Sequence, residues 1–501
     1  MRRIISLVLA IVFAMGCVCG LTACNDGSDA PETDVPETNK PETEVPEDDK
    51  DNSDDITSDV LRQSIVAETK DFKVNAAMMA YLFSTNVRQY STYLSLLGVN
   101  TTVSLKKQTC PLLSDTNGTW FDYFAKTTEA QITELLVFAQ GAKDAGIELT
   151  AEEQKSIDDI MADIEAESKS YGYPDINTYL LAVTGNAITL ADVRDCYELN
   201  SLANKYYAQF IDSLEVTAEE REAYYIENAD SIDHVDIYKY NVLASDFEGE
   251  TEDQKITLAK AYAEELAAIN GVDAFADAIR AEIEKVTVQS DDETDEQFAE
   301  RKEELFAATY SKYTAIVELT SDVKEWVKTA NVGDTFVESV DGTTFTVYML
   351  EATPYRKEEK SRNIRHILFS SNNYTTDEKA KEVLDEFIAA GATEAEFARL
   401  AKEYSDDTTA SVGGLIENVL KGQMVAEFEN WMFDESRQVG DYGIIKSAYG
   451  WHLMFYPGEG EFTYWEIVTN KVIVQDKLNA YFAEKSADIE FDQSAVDQIN
   501  A

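Results

Sequence analysis

Residues 363–371 read NIRHILFSS and carry one of only three histidines in a chain of 501 residues. A second histidine, His452, lies in a similar run, YGWHLMFY, at residues 449–456. Short runs rich in β-branched, aromatic and other apolar residues are typical of strands that face a protein core. Two of the three histidines are therefore predicted to lie on buried strands, where a polar ring needs a hydrogen-bond partner.

The N-terminus has the pattern of a bacterial export signal. Arg2 and Arg3 precede an uncharged apolar run over residues 4–19, which is too short for a comfortable membrane span. The run ends in Leu-Thr-Ala-Cys at residues 21–24, which resembles the lipobox of bacterial lipoproteins. We predict a signal peptide over residues 1–23 and lipidation of Cys24, which would anchor the protein to the outer surface of the cell membrane. Ordinary secretion with a coincidental cysteine is the alternative.

Residues 24–60 form a predicted acidic, proline-rich tether. Within them, residues 31–50 repeat a five-residue unit as PETDV, PETNK, PETEV and PEDDK. Such a tract has too little apolar surface to offset its conformational entropy. We expect an extended, self-repelling spacer between membrane and folded body.

The charge balance excludes several classes of partner. The chain has 42 Lys and Arg against 95 Asp and Glu; loss of Arg2 and Arg3 with the signal leaves 40 − 95 = −55. This excess argues against binding nucleic acid or anionic membranes through a basic surface. With 44% hydrophobic residues, the chain can form sizeable cores. Cys110 and Cys196 remain after processing, and their spacing leaves open whether they form a disulfide.

Periodicity divides the rest of the chain into an α+β arrangement. Residues 61–234 have helical spacing, and TAEE at 150–153 and at 217–220 are capping boxes. Residues 235–355 alternate strands with helices, and residues 356–460 repeat that plan. Residues 461–501 contain an amphipathic segment that is predicted to be helical.

The two mixed segments align with each other. IYKYNVLAS, from residue 237, lies over IRHILFSS with one inserted residue, which places Tyr240 opposite His366. VGDTFVESVDGTTFTVYML lies over VGDYGIIKSAYGWHLMFYP without a gap, which places Phe345 opposite His452. The first copy therefore lacks both histidines and is predicted to be degenerate.

Five motifs occur in a characteristic order in the second copy: RHILF, FARLAKEYSDD, GGL, KGQMVAEFE and GWHLMFY. In this order they resemble the parvulin-type peptidyl-prolyl cis/trans isomerases over about residues 362–458. The helix-rich region before them makes the whole chain similar to extracytoplasmic foldases of the PrsA and SurA type. The resemblance implies a helical chaperone-like domain joined to parvulin-like repeats, each a small antiparallel sheet flanked by helices. It also implies that the C-terminal segment, residues 461–501, returns as a helix to the helical domain.

The resemblance also implies the site. The family's paired histidines correspond to His366 and His452, and its Cys or Asp after the second helix corresponds to Asp407. Its apolar proline pocket corresponds to a further set of three residues: Leu415, Met424 and Phe428. Peptide-bond rotation faces a barrier of about 18–20 kcal/mol and makes or breaks no bond, so a nucleophile, metal or cofactor is not expected. The histidines either act on the amide or only hold the site in shape.

Three functions remain in competition at this point. The first is a membrane-anchored, extracytoplasmic foldase that isomerises X-Pro bonds in unfolded or newly exported polypeptides. The second is a holdase chaperone whose repeats only bind clients. The third, a solute-binding or adhesion lipoprotein, is disfavoured by the parvulin motifs and by the absence of a two-lobed α/β pattern. The acidic surface also argues against a preference for phosphorylated Ser or Thr before proline.

Overall fold

A computed structural model describes residues 57–114 and 117–501. The predicted lipobox, Cys24 and most of the predicted tether lie outside these residues. The described chain forms two compact units, one from residues up to 215 together with 474–501, the other from residues 216–473. We call them the helical unit and the sheet unit. Within the described ranges, no helix is both long enough and apolar enough to span a membrane.

The helical unit is built around the long helix α4, whose apolar side chains are largely buried. The predicted capping box at residues 150–153 is present: the Thr150 hydroxyl accepts a hydrogen bond from the Glu153 amide, and the Glu153 carboxylate accepts one from the Thr150 amide. A small antiparallel pair, β1 (Ile65–Glu68) and β2 (Lys73–Asn75), lies between the first two helices. The helices are α1 (Ser58–Gln63), α2 (Ala76–Gln89), α3 (Ser91–Leu96), α4 (Trp120–Asp144), α5 (Ala151–Ser170), α6 (Ile176–Thr184) and α7 (Leu190–Ser213).

The sheet unit begins with α8 (Ala218–Asn228) and the first repeat. The four strands of this repeat form an antiparallel sheet in the order β4-β3-β6-β5. One face of the sheet packs against α9 and α10, and the other against α12. The elements are β3 (His234–Leu243), α9 (Glu252–Ala267), α10 (Val272–Val286), α11 (Asp295–Ala307), β4 (Tyr310–Ala315), α12 (Ser321–Val327), β5 (Thr335–Ser339) and β6 (Thr344–Tyr355).

The second repeat has the same plan, with antiparallel strands in the order β8-β7-β10-β9. Here α13 and α14 cover one face and α15 packs on the other. The predicted α+β class, with small antiparallel sheets flanked by helices, is confirmed. The elements are β7 (Lys360–Ser370), α13 (Glu378–Ala389), α14 (Glu394–Tyr404), β8 (Leu415–Val419), α15 (Ala426–Met432), β9 (Tyr442–Ser447) and β10 (Gly450–Thr463).

The C-terminal segment contains α16 (Tyr464–Ser486) and α17 (Gln493–Val496). The division between the two units falls within α16, after Ile473. Leu478, Val496 and Ile499 are buried in the core of the helical unit. The last residues of the chain therefore contribute to the core of a domain whose other helices lie more than 250 positions earlier.

A matching irregularity shows which residues of the two repeats are equivalent. In the first repeat the Tyr313 amide donates to the Asp236 carboxylate over 2.9 Å, and in the second the Asn418 amide donates to the Asn363 side chain over 2.8 Å. Tyr313 and Asn418 have φ angles of 59° and 53°, which non-glycine residues rarely adopt. Asp236 is therefore equivalent to Asn363, and Tyr313 to Asn418.

This equivalence corrects the alignment made from sequence. His366 lies three positions after Asn363, so its counterpart is Lys239, three after Asp236, and no residue is inserted in the strand. By the same pairing, His452 corresponds to Thr346. The predicted counterparts Tyr240 and Phe345 lie one position away, on the face that α9 and α10 cover, because a shift of one residue moves a side chain to the other face of a strand.

The extra residue lies in the turn between the third and fourth strands. β9 and β10 pair up to Ser447 and Gly450, whereas β5 and β6 pair up to Ser339 and Phe345 with a longer connection between them. The absence of both histidines from the first repeat is unaffected by this correction.

The end of the compact helical unit differs from residue 234, the predicted end of the helical domain. The compact helical unit ends at Glu215, and α8 belongs to the sheet unit. On α8, Tyr225 packs edge-on against Trp465, and Glu222 pairs with Arg356 at 2.6 Å. These contacts explain why a helix with a strong capping box is not part of the helical unit.

Cys110 and Cys196 are both buried free thiols. The Cys196 sulfur lies 3.7 Å from the Met78 carbonyl oxygen. The two cysteines therefore do not form a disulfide, and they act as apolar core side chains.

Candidate active site on the second repeat

The pairing of β7 with β10 brings the two histidines together. His366 lies opposite Met454 and His452 lies opposite Leu368, so the two histidines are diagonal neighbours on one face of adjacent central strands. Side chains in this relation are within reach of each other. Their Nδ1 atoms are 3.3 Å apart, and each residue is 4% exposed.

A carboxylate lies at one end of the pair. The His366 Nε2 atom is 3.3 Å from an Asp407 carboxylate oxygen, and the Thr409 hydroxyl donates to the same oxygen over 2.5 Å. The Thr409 amide also donates to it over 2.8 Å. The hydrogen bond from His366 and those from Thr409 hold the pKa of Asp407 well below its usual range. Asp407 is therefore ionised throughout the physiological range.

A hydroxyl lies at the other end. The Ser447 oxygen is 2.7 Å from the His452 Nε2 atom and accepts a hydrogen bond from the Tyr449 amide. One set of tautomers satisfies the contacts: His366 Nε2–H donates to Asp407, His452 Nδ1–H donates to His366, and Ser447 O–H donates to His452. The network is thus a directed chain that ends on the carboxylate.

Burial, together with the neighbouring His366, lowers the pKa of His452 to about 4. The neutral ring is therefore the form present at neutral pH. Because an unfolded histidine has a pKa of about 6.5, the unfolded chain takes up this proton first as the pH falls. Folding stability from this group is complete above about pH 6.5 and is progressively lost between that pH and about pH 4.

Apolar side chains surround the histidines on the same face. Phe428 on α15 is 4% exposed, and its ring centre lies 5.4 Å from that of His366 and 5.7 Å from that of His452, edge-on to both. Met424 is partly buried against the same cluster. The predicted residues Met424 and Phe428 therefore lie beside the histidine pair.

Leu415, the third predicted pocket residue, does not lie beside the histidine pair. It lies opposite Arg365, whose guanidinium bonds to Glu394 on α14, so Leu415 is on the face away from the histidines. The next residue, Ile416, lies opposite Ile364 and packs with Phe428 and Met424. The apolar pocket therefore takes Ile416 in place of Leu415, because adjacent residues of a strand point to opposite faces.

Sequence reasoning missed Thr409, Ile416 and Ser447. Thr409 lies two residues after Asp407, a spacing at which an Asp side chain commonly accepts from the backbone, and this signal could have found it. Ser447 reaches His452 only because the hairpin between β9 and β10 closes in two residues, which its own position in the sequence does not reveal.

Gly414 explains why a glycine pair precedes β8. Its φ is +71°, and a Cβ atom there would lie 2.2 Å from the His366 carbonyl oxygen. The His366 amide also donates to the Gly414 carbonyl over 2.9 Å. Backbone approach at this point holds β8 against the strand that carries the histidine.

No cluster of three or more His, Cys, Asp or Glu side chains suited to a metal ion occurs in the part of the chain that the structure describes. His366, His452 and Asp407 form instead the hydrogen-bonded chain described above.

This geometry coincides with a match to a known family. Residues 347–455 match the PPIC-type PPIase domain, which confirms the predicted resemblance to the parvulin-type peptidyl-prolyl isomerases over this part of the chain. The match begins inside β6 and ends inside β10. The predicted isomerase domain is thereby confirmed, with all three predicted network residues inside it.

Similar proteins include bacterial chaperones and foldases. Chaperone SurA of Hahella chejuensis is 30% identical over 120 residues, 24% of this chain and 27% of that protein. Foldase protein PrsA 1 of Listeria innocua is 35% identical over 103 residues, 20% of this chain and 32% of that protein. The aligned part thus spans about a third or less of each relative.

Among solved structures, PrsA of Bacillus anthracis, described as a peptidylprolyl isomerase, is similar at 17% identity over 55% of this chain and 96% of that chain, with a TM-score of 0.19. PrsA of Bacillus subtilis is similar at 20% identity over 57% of this chain and 90% of that chain, also with a TM-score of 0.19.

The buried ring of His452 yields a prediction on titration. Side-chain ¹⁵N NMR of the full chain, assigned with the His452→Gln variant, should show this ring neutral from pH 7 down to about pH 4, because burial opposes its charged form. A midpoint near pH 6.5, the value for a solvated histidine, would contradict the buried, directed network.

Proposed function

We propose that the second repeat catalyses cis/trans isomerisation of X-Pro bonds in polypeptides. The observation that carries the proposal is the position of Phe428, whose ring is nearly perpendicular to both histidine rings of the hydrogen-bonded chain, with centres 5.4 and 5.7 Å away. An apolar surface for a proline ring thus adjoins a polar network, inside a region that matches the PPIC-type PPIase domain.

The chemistry requires no nucleophile. Rotation of the amide passes through a twisted state in which resonance is lost, and a site lowers the barrier by favouring that state over the planar one. The partly buried Ile416 and Met424 supply apolar contacts for the proline ring. Phe428, which is 4% exposed, packs behind them and excludes water from the histidines. The network supplies fixed dipoles whose orientation costs nothing during the reaction.

Burial assigns different roles within the network. His366 and His452 are each 4% exposed, so little of either ring is accessible to a substrate. The Asp407 side chain is 28% exposed and is the accessible end of the chain. We infer that the histidines position the carboxylate and shape the pocket, while Asp407 faces the peptide.

Ile416 and Leu415 provide a matched pair for testing the pocket. We expect Ile416→Ala to raise KM for an X-Pro peptide in a protease-coupled isomerase assay, because lost apolar burial costs about 1–3 kcal/mol. Leu415→Ala, one position away on the opposite face, should leave KM unchanged. The reverse result, with Leu415 sensitive and Ile416 not, would place the proline elsewhere.

We further propose that the helical unit holds unfolded segments of clients. Residues 72–114 contain no Asp or Glu, although the whole chain has 95. Within this stretch several large apolar side chains are strongly exposed: Tyr93, Leu96, Leu97, Val103 and Leu112. An exposed apolar stretch whose own residues carry no negative charge suits binding to unfolded polypeptide. This observation favours a holding activity alongside isomerisation.

Leu96 tests the holding activity. Its side chain is 81% exposed, so Leu96→Ser should weaken suppression of aggregation of an unfolded client without changing the fold. The control is Val288→Ser, which is 80% exposed but lies in the sheet unit among acidic residues. Light scattering of a denatured client measures both. Equal loss in the two variants would remove residues 93–112 from the client surface.

Finally, we propose that the protein is a lipoprotein anchored on the extracytoplasmic side of the cell membrane. Support comes from the lipobox-like residues 21–24 and from the acidic, proline-rich spacer that follows. Two acyl chains are about what stable anchoring requires. Chaperone and foldase relatives are consistent with clients that are newly exported chains.

Anchoring is tested at Cys24. The Cys24→Ser variant should lose the lipid modification and appear in the soluble fraction after cell fractionation, because it lacks the acceptor thiol. Mass spectrometry of the N-terminus reads out the modification itself. Recovery of an unmodified, signal-cleaved variant in the membrane fraction would show that another part of the chain anchors it.

A further inference from the structure

The first repeat presents a face equivalent to the isomerase face, with different chemistry. Strand pairing matches the two faces position by position, because Glu338 lies opposite Thr346 as Ile445 lies opposite His452. Two residues further along the strands, and so on the same face, Phe336 lies opposite Tyr348 as Gly443 lies opposite Met454. The face is equivalent in backbone, whereas its side chains are replaced by others of a different kind.

The replacements put a carboxylate where the isomerase site is apolar. Glu338 occupies the position of Ile445. It lies opposite Thr346, the counterpart of His452. One Glu338 oxygen accepts from the Thr320 hydroxyl over 2.6 Å, and the other accepts from the Tyr348 hydroxyl over 3.0 Å. Two donors therefore hold this carboxylate in a fixed orientation.

Aromatic rings surround the carboxylate. The Trp326 ring stacks on Phe336 with centres 5.5 Å apart and lies 6.4 Å from Tyr348. All three rings are only partly buried. Burial and the hydrogen bond to Glu338 raise the pKa of Tyr348, so its hydroxyl stays protonated as a donor. A fixed carboxylate beside partly exposed aromatic faces is a combination that attracts an ammonium or guanidinium group.

We propose that this face of the first repeat binds a Lys or Arg side chain of a polypeptide without catalysing isomerisation. The cation would pair with Glu338 and lie against the Trp326, Phe336 and Tyr348 rings. The formal net charge of −53 adds a long-range attraction for basic segments. The proposal is independent of catalysis by the second repeat.

Lys239 provides a second, oppositely charged position at which the charge of the ligand can be tested. It occupies the position of His366 on the same face, is exposed, and carries the opposite charge to Glu338. A basic ligand attracted by Glu338 is repelled by Lys239, and an acidic ligand shows the reverse. Charge-removing variants at the two positions should therefore act in opposite directions.

The experiment titrates the full chain with three capped pentapeptides, Ala-Ala-X-Ala-Ala with X as Lys, Glu or Pro, at low salt. The readout is the indole NMR resonance of Trp326, assigned with Trp326→Phe. We expect the Lys peptide to shift this resonance most, Glu338→Gln to weaken its binding by about threefold or more, and added salt to weaken it further. Lys239→Gln should strengthen binding.

Glu325→Gln is the matched control. Glu325 lies on α12 next to Trp326, but it is exposed and paired with Lys328. It should leave binding unchanged, and isomerase activity should be equal in all variants. Equal shifts by the Lys and Glu peptides, a preference for the Glu or Pro peptide, or unchanged binding in Glu338→Gln would each overturn the proposal. Since Gln retains the shape of Glu, a folding defect is not expected to obscure the result.

Discussion

The pairing register of β7 and β10 is the constraint on which the site depends. It sets His452 opposite Leu368, and so brings two histidines that are 86 positions apart to 3.3 Å on one face. A shift of one residue would turn one ring into the core formed with α13 and α14. Gly450 contributes to this register, because a Cβ atom there would lie 2.2 Å from the Phe369 carbonyl oxygen of β7, and the Ser371 amide donates to the Tyr449 carbonyl beside it over 2.8 Å.

The same scaffold occurs twice with different chemistry on one face. Both sheets have the same strand order and the same irregularity at Asp236 and Asn363, which shows that backbone structure is retained while side chains diverge. In the second copy the face combines apolar side chains with a buried histidine chain. In the first it carries Lys239 and Glu338, both unsuited to the apolar contacts that a proline ring requires.

Part of the fold and of the candidate site could be predicted from the sequence. Helix starts at residues 150 and 217 were predicted correctly, because a capping box is made by residues three apart and needs no tertiary contact. The order of the five motifs identified the isomerase domain. The prediction of Leu415 for the pocket and that of Tyr240 as the counterpart of His366 are each one residue away from the side chain on the site face, which is Ile416 in one case and Lys239 in the other. These choices depend on bulges and turns that set the register of distant strands.

Local order, composition and motif identity were determined by the sequence alone, because they rest on neighbours within a few residues. Tertiary structure alone decided which face each strand residue takes. It also decided that α8 packs with Trp465 and not in the helical unit, and that Ile499 is buried in the same core as Leu61. The reason is physical: burial and hydrogen bonding act between groups that are close in space. For these residues the partners lie tens to hundreds of positions away along the chain.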